Sequence, residues 1–296
     1  MSKGQARTKS GDSGPVLLGA HMSISGGVDR ALERGESIGC TVVQIFLKNS
    51  NRWVGKPLEA SEAEAFQTRL KSSSIRSVFG HNAYLINLAS PKDDLFEQSI
   101  AAMVDEIERA DLLGVPFIVM HPGSPVGESE AWGLKRISEG VARILAATSP
   151  SKVQLAFENT AGQGSNLGYR FEHLAQLIAD APEKSRVGMC LDTCHAFAAG
   201  YEMRTQHDYD TTLGALDREV GLAFLKAIHL NDSKKDVGSR VDRHEHIGKG
   251  CLGLEPFRFL MNDPRLAAIP KALETPKSDD LHEDVENMAI LRGLIE

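Results

Sequence analysis

Val153-Gln154-Leu155-Ala156-Phe157-Glu158 is a short apolar segment that ends in a carboxylate. Five further segments of this kind, at 77–81, 117–121, 187–192, 226–229 and 269–274, end in His81, His121, Asp192, His229 and Glu274. Their length is typical of β-strands. Successive ends are 40, 37, 34, 37 and 45 residues apart, which leaves room for a loop, a helix and the next strand. The pattern therefore predicts repeated strand–helix units and a parallel sheet.

Two more apolar segments, at 16–20 and 41–46, bring the predicted strands to eight. Helices are predicted between them at 27–38, 61–72, 95–113, 131–147, 171–179, 213–220, 255–261 and 280–295. Ser61, followed three residues later by Glu64, has the pattern of a capping box at the start of the second helix. Because no linker interrupts the alternation, we expect one α/β domain over residues 15–296. If the sheet closes, the strand ends meet at one face.

The composition is that of a globular protein with a full core, since 42% of the 296 residues are hydrophobic and 25% are charged. No apolar segment approaches the roughly 20 residues that a membrane-spanning helix needs, so no membrane partner is expected. Residues 1–14 are rich in Lys, Ser and Gly, and we expect a disordered tail there rather than a secretory signal. Four cysteines without a Cys-x-x-Cys pair are typical of a reducing compartment.

We expect a cytoplasmic location, in association with the nucleoid in a bacterium, or a nuclear or organellar location in a eukaryote. The net charge of −7 argues mildly against a nucleic-acid partner. The distribution of charge, however, matters more than the total.

Residues that bind metals recur beyond the six strand ends. Asp192-Thr193-Cys194-His195 places an imidazole on the turn after the sixth strand. Asp242-Arg243-His244 places two ligand types two residues apart, on one side of an extended segment in a polar loop at 231–252. A single His at a strand end is more often structural, but so regular a series is hard to explain that way. The nine candidate ligands are His81, His121, Glu158, Asp192, His195, His229, Asp242, His244 and Glu274.

Mixed imidazole and carboxylate ligands suit zinc, with manganese or iron as the next choices. Nine ligands exceed what one tetrahedral ion needs, so the sequence implies two or three ions, with a carboxylate bridging two of them. Closely spaced ions are suited to phosphoester hydrolysis, because one generates hydroxide at neutral pH and another neutralises the leaving oxygen.

Longer motifs surround these ligands in a fixed order between about Gly19 and about Pro276. They are GAH from Gly19, HNAYLINL from His81, HPGS from His121, ENTAGQGSNLG from Glu158, LDTCHAFAAGY from Leu191, HLND from His229 and GSRVDRH from Gly238. Together they resemble the endonuclease IV family of abasic-site DNA repair nucleases, and the resemblance covers nearly the whole chain.

The resemblance implies a single-domain TIM-type (β/α)8 barrel that holds three zinc ions at the C-terminal ends of its strands. The implied ligands are His81, His121 and Glu158 for the first ion, Glu158, Asp192, His229 and Glu274 for the second, and His195, Asp242 and His244 for the third. The implied substrate is double-stranded DNA with abasic sites or blocked 3′ ends, and we expect the protein to act on it as a monomer.

Cleavage 5′ to the abasic site would leave a 3′-hydroxyl and a 5′-deoxyribose phosphate. A hydroxide held between the first two ions would attack phosphorus in line, while the third ion would stabilise the departing 3′-oxygen. We expect Glu158 to help orient or deprotonate the attacking water.

Recognition of the damaged DNA is expected to involve Tyr84 and the segment around Arg52. Tyr84 lies where the family places an aromatic near the lesion, and its ring can fill the gap left by a nucleotide turned out of the stack. The alternative role of Tyr84 is rim packing. Bacterial relatives often carry arginine where this chain has Asn51. Either Arg52 reaches the minor groove from a shifted register, or this contact is weaker.

The loop after the seventh strand is the best candidate for phosphate contacts. Its cations are Lys234, Lys235, Arg240, Arg243 and Lys249. The alternative is a solvated, charge-balanced loop, since four acidic residues share it.

Two other functions fit part of the pattern. A sugar isomerase or epimerase would use Glu158, Asp192, His229 and Glu274 around a metal, but it has no obvious role for the third set of ligands. A DNA-damage-binding protein with structural metals would be expected to use closed, Cys-rich sites, and none of the nine candidates is a cysteine.

Overall fold

Eight parallel strands close into a barrel in the computed structural model, which describes residues 16–296. Two further strands lie outside the barrel, so residues 16–296 contain ten. In chain order they are β1 (Leu18–Met22), β2 (Val42–Phe46), β3 (Ser77–His81), β4 (Phe117–Met120), β5 (Gln154–Glu158), β6 (Val187–Asp192), β7 (Leu225–His229), β8 (Asp232–Ser233), β9 (His244–Glu245) and β10 (Lys271–Leu273). The short strands β8 and β9 form a separate antiparallel pair. In the barrel, β10 pairs with β7 on one side and with β1 on the other, which closes the sheet. The predicted TIM-type barrel is confirmed.

Helices follow the strands and cover the outside of the barrel. They are α1 (Val28–Ser37), α2 (Ala60–Ser72), α3 (Asp93–Leu113), α4 (Glu130–Ala147), α5 (Phe171–Asp180), α6 (Thr193–Ala199), α7 (Gln206–Glu219), α8 (Glu255–Asn262) and α9 (His282–Gly293), with 3-10 turns at Lys184–Arg186, Leu222–Phe224 and Pro264–Leu266. None of the helices within residues 16–296 is long and apolar enough to cross a membrane. The tail predicted at residues 1–14 lies outside the described residues.

The barrel interior consists of an apolar layer below a polar one. Successive strand residues point to opposite sides of the sheet, so residues two apart share the interior side. The apolar layer contains Val42, Phe79, Val119, Ala156, Cys190, Ala227 and Ala272. Two residues further along each strand lie Gln44, His81, His121, Glu158, Asp192, His229 and Glu274. The strand period therefore places six predicted ligands and one glutamine in the same layer.

The predicted capping box at Ser61 and Glu64 is wrong. The second helix begins at Ala60, and the reciprocal pairing involves Glu59 and Glu62, whose Oε2 accepts the Glu59 N–H at 3.0 Å. Ser61 already lies within the first turn, and the carboxylate of Glu59 takes the role expected of its hydroxyl.

Other differences concern helix starts and short elements. The helix predicted at 213–220 begins much earlier, at Gln206, because Thr205 caps it by accepting the Asp208 N–H. The turn predicted after the sixth strand is the short helix α6, and the polar loop at 231–252 contains the β8–β9 pair.

Candidate metal centre

Glu158 lies at the centre of the polar layer and is fully buried. Its Oε2 is 3.2 Å from Nε2 of His81 and 3.2 Å from Nε2 of His121. Its Oε1 is 2.9 Å from Nδ1 of His229. The two carboxylate oxygens thus face two different sets of neighbours, which is the arrangement expected of a carboxylate that bridges two ions.

The first two predicted ligand sets come together as two groups that share Glu158. In each group, one ligand atom from every residue lies within 4.8 Å of the others. The first group is His81, His121 and Glu158, and the second is Glu158, Asp192, His229 and Glu274.

The three remaining candidates lie beside the second group. Oδ2 of Asp242 is 3.2 Å from Nε2 of His195, and Oδ1 of Asp242 is 3.6 Å from Nε2 of His244. Oδ2 of Asp192 is also 3.6 Å from this His244 nitrogen. The ligand atoms of Asp192, His195 and His244 form a compact triad. The third set is therefore contiguous with the second through Asp192.

Backbone carbonyl groups orient three of the imidazoles. Each pairs with Nδ1 of the ring, at 2.9 Å for His81 and Asn82, 3.0 Å for His195 and Asn159, and 3.1 Å for His244 and Glu274. Because a carbonyl oxygen only accepts, Nδ1 carries the proton of the neutral ring. The lone pair of Nε2 then points toward the carboxylates, as a metal ligand requires.

Two asparagines hold Asp192 in place. Asn231 Nδ2 donates to Asp192 Oδ2 at 2.7 Å, while Asp192 Oδ1 accepts the His195 N–H at 2.8 Å and so caps α6. The backbone of Asp192 exchanges two hydrogen bonds with the side chain of Asn159, at 2.7 and 3.0 Å. Asn159 of the ENT motif and Asn231 of the HLND motif, which follow the candidate ligands Glu158 and His229, therefore orient a third candidate ligand, Asp192.

The acidic and basic groups of the site shift each other's pKa. Burial alone would raise the pKa of Glu158, but the neighbouring imidazoles, foremost His229 and then His121, hold it well below its ordinary value. Burial alone would lower the pKa of His195, but Asp192 and Asp242 raise it well above its ordinary value. The cluster therefore favours positive charge between its carboxylates, on imidazoles or on cations.

The donor set fits metal ions. Nε2 of His195 and Nε2 of His244 are buried, and neither is aligned for a hydrogen bond within residues 16–296, although carboxylate oxygens of Asp242 lie 3.2 and 3.6 Å away. Buried nitrogens of this kind are normally paired with a polar group, a water or an ion. Nitrogen and carboxylate oxygen ligands without cysteine match zinc sites that carry out catalysis.

Two residues near the groups were missed by the sequence prediction. Cys194 lies close to Asp242 and His244, but its thiol donates to the Arg243 carbonyl oxygen at 3.7 Å, which gives it a structural contact. Gln44 is fully buried in the polar layer. Its position in the otherwise apolar Val42-Val43-Gln44-Ile45-Phe46 strand is the signal that would have identified it.

A cleft of about 790 Å³ opens above the polar layer. Tyr84 lies at its rim with 70% of its surface exposed, and its ring contacts Phe46 edge-on with centroids 5.2 Å apart. Asn51 lines the cleft, whereas the exposed Arg52 does not belong to its lining.

Four of the five predicted phosphate contacts lie on the exposed loop between β8 and β9, and Lys249 follows β9. Lys234 Nζ is 3.9 Å from a carboxylate oxygen of Glu245, and the Arg240 guanidinium stacks 4.4 Å from the ring centroid of Tyr169. Arg243 donates to the Asp242 carbonyl oxygen at 2.5 Å. All three residues lie at the surface, and their partners leave donors free for other contacts.

Comparisons with known proteins agree with this geometry. The family described as "Xylose isomerase-like TIM barrel" matches residues 32–293. A protein of Chloroflexus aurantiacus named "Probable endonuclease 4" is 52% identical over 279 residues, which are 94% of this chain and 98% of that protein.

Two solved structures extend the comparison. Endonuclease IV from Thermus thermophilus is 40% identical with a TM-score of 0.83, and the match covers 95% of this chain and 98% of that one. A D-tagatose 3-epimerase-like protein has a TM-score of 0.71 at 16% identity, over 93% of this chain and 96% of that one. The second similarity is one of fold alone.

Proposed function

The chain belongs to the endonuclease IV family within the xylose isomerase-like TIM barrels, and on that premise we propose that it is a metal-dependent DNA repair endonuclease. Its proposed reaction is hydrolysis of the phosphodiester 5′ to abasic sites, which leaves a 3′-hydroxyl and a 5′-deoxyribose phosphate. The observation that carries this proposal is the third predicted set, His195, Asp242 and His244, which lines the cleft beside the two groups that share Glu158. In this set, the Nε2 atoms of the two imidazoles lie 3.2 and 3.6 Å from the carboxylate oxygens of Asp242.

We propose that the three groups hold three zinc ions, with manganese or iron possible at some positions. Zinc supplies two kinds of chemistry in such a site, since it lowers the pKa of bound water to about 7 and neutralises charge on phosphoryl oxygens. The ligands are assigned as His81, His121 and Glu158, then Glu158, Asp192, His229 and Glu274, and finally His195, Asp242 and His244.

Glu158 has the central role among the protein groups. Its two oxygens lie between the first and second ligand groups, so its negative charge is shared by both. We assign to it the orientation of the attacking water and the acceptance of a proton from that water. No other carboxylate of the site, within the described part of the chain, faces both groups in this way.

The rim side chains would hold the DNA. Tyr84 is exposed and backed by Phe46, so its ring can occupy the gap in a duplex at an abasic site. Lys234, Arg240 and Arg243 would contact phosphates, and Arg52 would approach the duplex from outside the cleft. The same open cleft would admit blocked 3′ ends, so we propose an end-cleaning activity by the same protein acting as a monomer.

The test is a comparison of substrates with the zinc-loaded protein. A duplex with one abasic site should be nicked, and ketose sugars should be left unchanged. Removal of metal with a chelator should abolish nicking, and zinc should restore it. Conversion of a ketose without nicking would overturn the proposal in favour of an isomerase, and tight binding of the abasic duplex without nicking would favour a DNA-damage-binding protein.

A further inference from the structure

Gln44 makes three hydrogen bonds inside the polar layer, although none of its own atoms belongs to the three ligand groups. Its Nε2 is 2.8 Å from Nδ1 of His21 and 2.5 Å from Oε1 of Glu274. Its Oε1 is 2.6 Å from Nε2 of His229. The side chain is completely buried, so all of its polar atoms are used within the barrel.

The partners determine which way the amide is turned. An ionised carboxylate only accepts hydrogen bonds, so the end of Gln44 that faces Glu274 is the amino group. The carbonyl oxygen of Gln44 then faces His229 and can only accept. His229 therefore carries its proton on Nε2, which leaves the lone pair of Nδ1 free.

The free nitrogen of His229 is the one that faces the carboxylates. Nδ1 lies 2.9 Å from Glu158, 3.3 Å from Glu274 and 3.8 Å from Asp192. His81, His195 and His244 show the opposite arrangement, because backbone carbonyls pair with their Nδ1 atoms and Nε2 faces the cluster. For His229, a side chain performs the task that the backbone performs for the other three.

We propose that Gln44 is a positioning residue of the second metal group. It selects the His229 tautomer whose Nδ1 can bind an ion, and its amino group fixes the carboxylate of Glu274 in the same group. This inference rests on the metal-binding role proposed above for His229 and Glu274.

The first test measures zinc affinity, site by site, by competition with a chromophoric chelator. Gln44→Met keeps the size of the side chain but removes both its donor and its acceptor. Gln154→Met is the matched control, because Gln154 begins β5 at the opposite end of the barrel. We expect the wild-type protein and the control to bind three zinc ions alike. Gln44→Met should weaken one of the three ions by about 10- to 100-fold, the usual effect of losing a group that orients a ligand.

Gln44→Glu tests the contact with Glu274. It retains an acceptor for the Nε2–H of His229 but places a carboxylate oxygen against Oε1 of Glu274, so repulsion between the two carboxylates should leave the same single ion weakened and the other two unchanged. Equal zinc affinities in the wild-type protein and Gln44→Met would overturn the inference. A wild-type protein that binds no zinc would instead overturn the proposed function on which the inference rests.

A second readout uses the unaltered protein. The ring nitrogens of His229, assigned by comparison with a His229→Asn variant, should show a protonated Nε2 and an unprotonated Nδ1 in the nitrogen NMR spectrum of the zinc-loaded protein. A proton on Nδ1 would overturn the inference even if Gln44→Met failed to fold.

Discussion

At the scale of single residues, the proposed ligand side chains are fixed by contacts that form only when the barrel closes. His195 pairs with the carbonyl of Asn159 from the neighbouring strand end, and His244 pairs with the carbonyl of Glu274 from the far end of the chain. The imidazoles of His195 and His244 therefore reach these orientations only as the barrel folds. Metal binding should in turn stabilise the closed barrel, because ligands fixed in the folded state bind ions better than an unfolded chain does.

Glu158→Gln tests the role of the shared carboxylate. An amide carries no charge, and its amino group would face imidazole nitrogens that now lie 2.9 to 3.2 Å from carboxylate oxygens. We expect cleavage of an abasic duplex to slow by at least about 100-fold, the lower range for loss of a group that moves or holds a proton. Single-turnover rates and elemental analysis should be measured together. A variant with full metal content and full rate would show that Glu158 has no part in catalysis.

Tyr84→Ala tests damage recognition. Because the ring is 70% exposed, its removal should leave the melting temperature nearly unchanged. Loss of stacking should weaken binding of an abasic duplex by about 1 to 3 kcal/mol, with most of the effect in KM. Tyr84→Phe should behave as the wild type does. If Tyr84→Ala binds and cleaves normally, the residue only packs at the rim.

At the scale of elements, the strands and their ends were predictable because period-two alternation is a local property of the sequence. Val119 and His121, or Ala156 and Glu158, reveal the interior side of a strand without any knowledge of its neighbours. Helix starts were less predictable, since they depend on single capping contacts. The segment 206–210 reads as a polar loop, and only the cap at Thr205 reveals the helix.

Gln44 and Lys48 show what the sequence could not establish. Both are polar residues in or beside an apolar strand, and their partners come from distant segments of the chain. Gln44 contacts Glu274, and Lys48 contacts Glu106. Pairings over such separations follow from the closure of the barrel and the docking of α3, which leave no local pattern in the sequence.

The Lys48 contacts join the loops that follow β2 and β3 to helix α3. The Lys48 ammonium is 1% exposed and lies 2.9 Å from Asp105 and 3.4 Å from Glu106. Glu106 also accepts the Ala83 N–H at 3.2 Å, next to Tyr84. Burial raises the pKa of Glu106 to about 7, although the positive charge of Lys48 opposes the shift.

This raised pKa predicts how Glu106→Gln changes stability with pH. An unfolded glutamate titrates near 4.5, so between that pH and about 7 the folded protein holds a proton that the unfolded chain has lost. Stability from this group is therefore complete at low pH and is lost as pH rises to about 7. Relative to the wild type, Glu106→Gln should gain about 3 kcal/mol in free energy of unfolding between about pH 5 and about pH 8. Urea unfolding of both proteins would measure it, and a constant difference across this range would contradict the prediction.

At the scale of the whole molecule, an acidic protein with a net charge of −7 must bring DNA to a face that is rich in carboxylates. Metal ions would neutralise the centre of this face. The exposed cations of the β8–β9 loop would then supply contacts to the phosphates around it. The distribution of charge over the surface is therefore a better guide to the binding partner than the net charge of the chain.

Replacement of Lys234 and Lys235 by alanine tests this arrangement. Each lost phosphate contact should reduce the slope of log affinity against log salt by about 1, for undamaged and abasic duplexes alike. Lys152→Ala is the control, since this exposed lysine lies before β5 at the other end of the barrel. An unchanged slope in the double variant would mean that the loop is charge-balanced and does not contact DNA.

The barrel is similar in fold to that of a D-tagatose 3-epimerase-like protein, and the proposed third ligand set is the feature on which we base the assignment of a phosphodiesterase. The most direct measurement is the position and chemistry of the nick that the zinc-loaded protein makes in an end-labelled duplex with one abasic site. We predict a single nick on the 5′ side that leaves a 3′-hydroxyl from which a DNA polymerase can extend. A nick on the 3′ side, or an intact duplex under conditions in which three zinc ions are bound, would contradict the account.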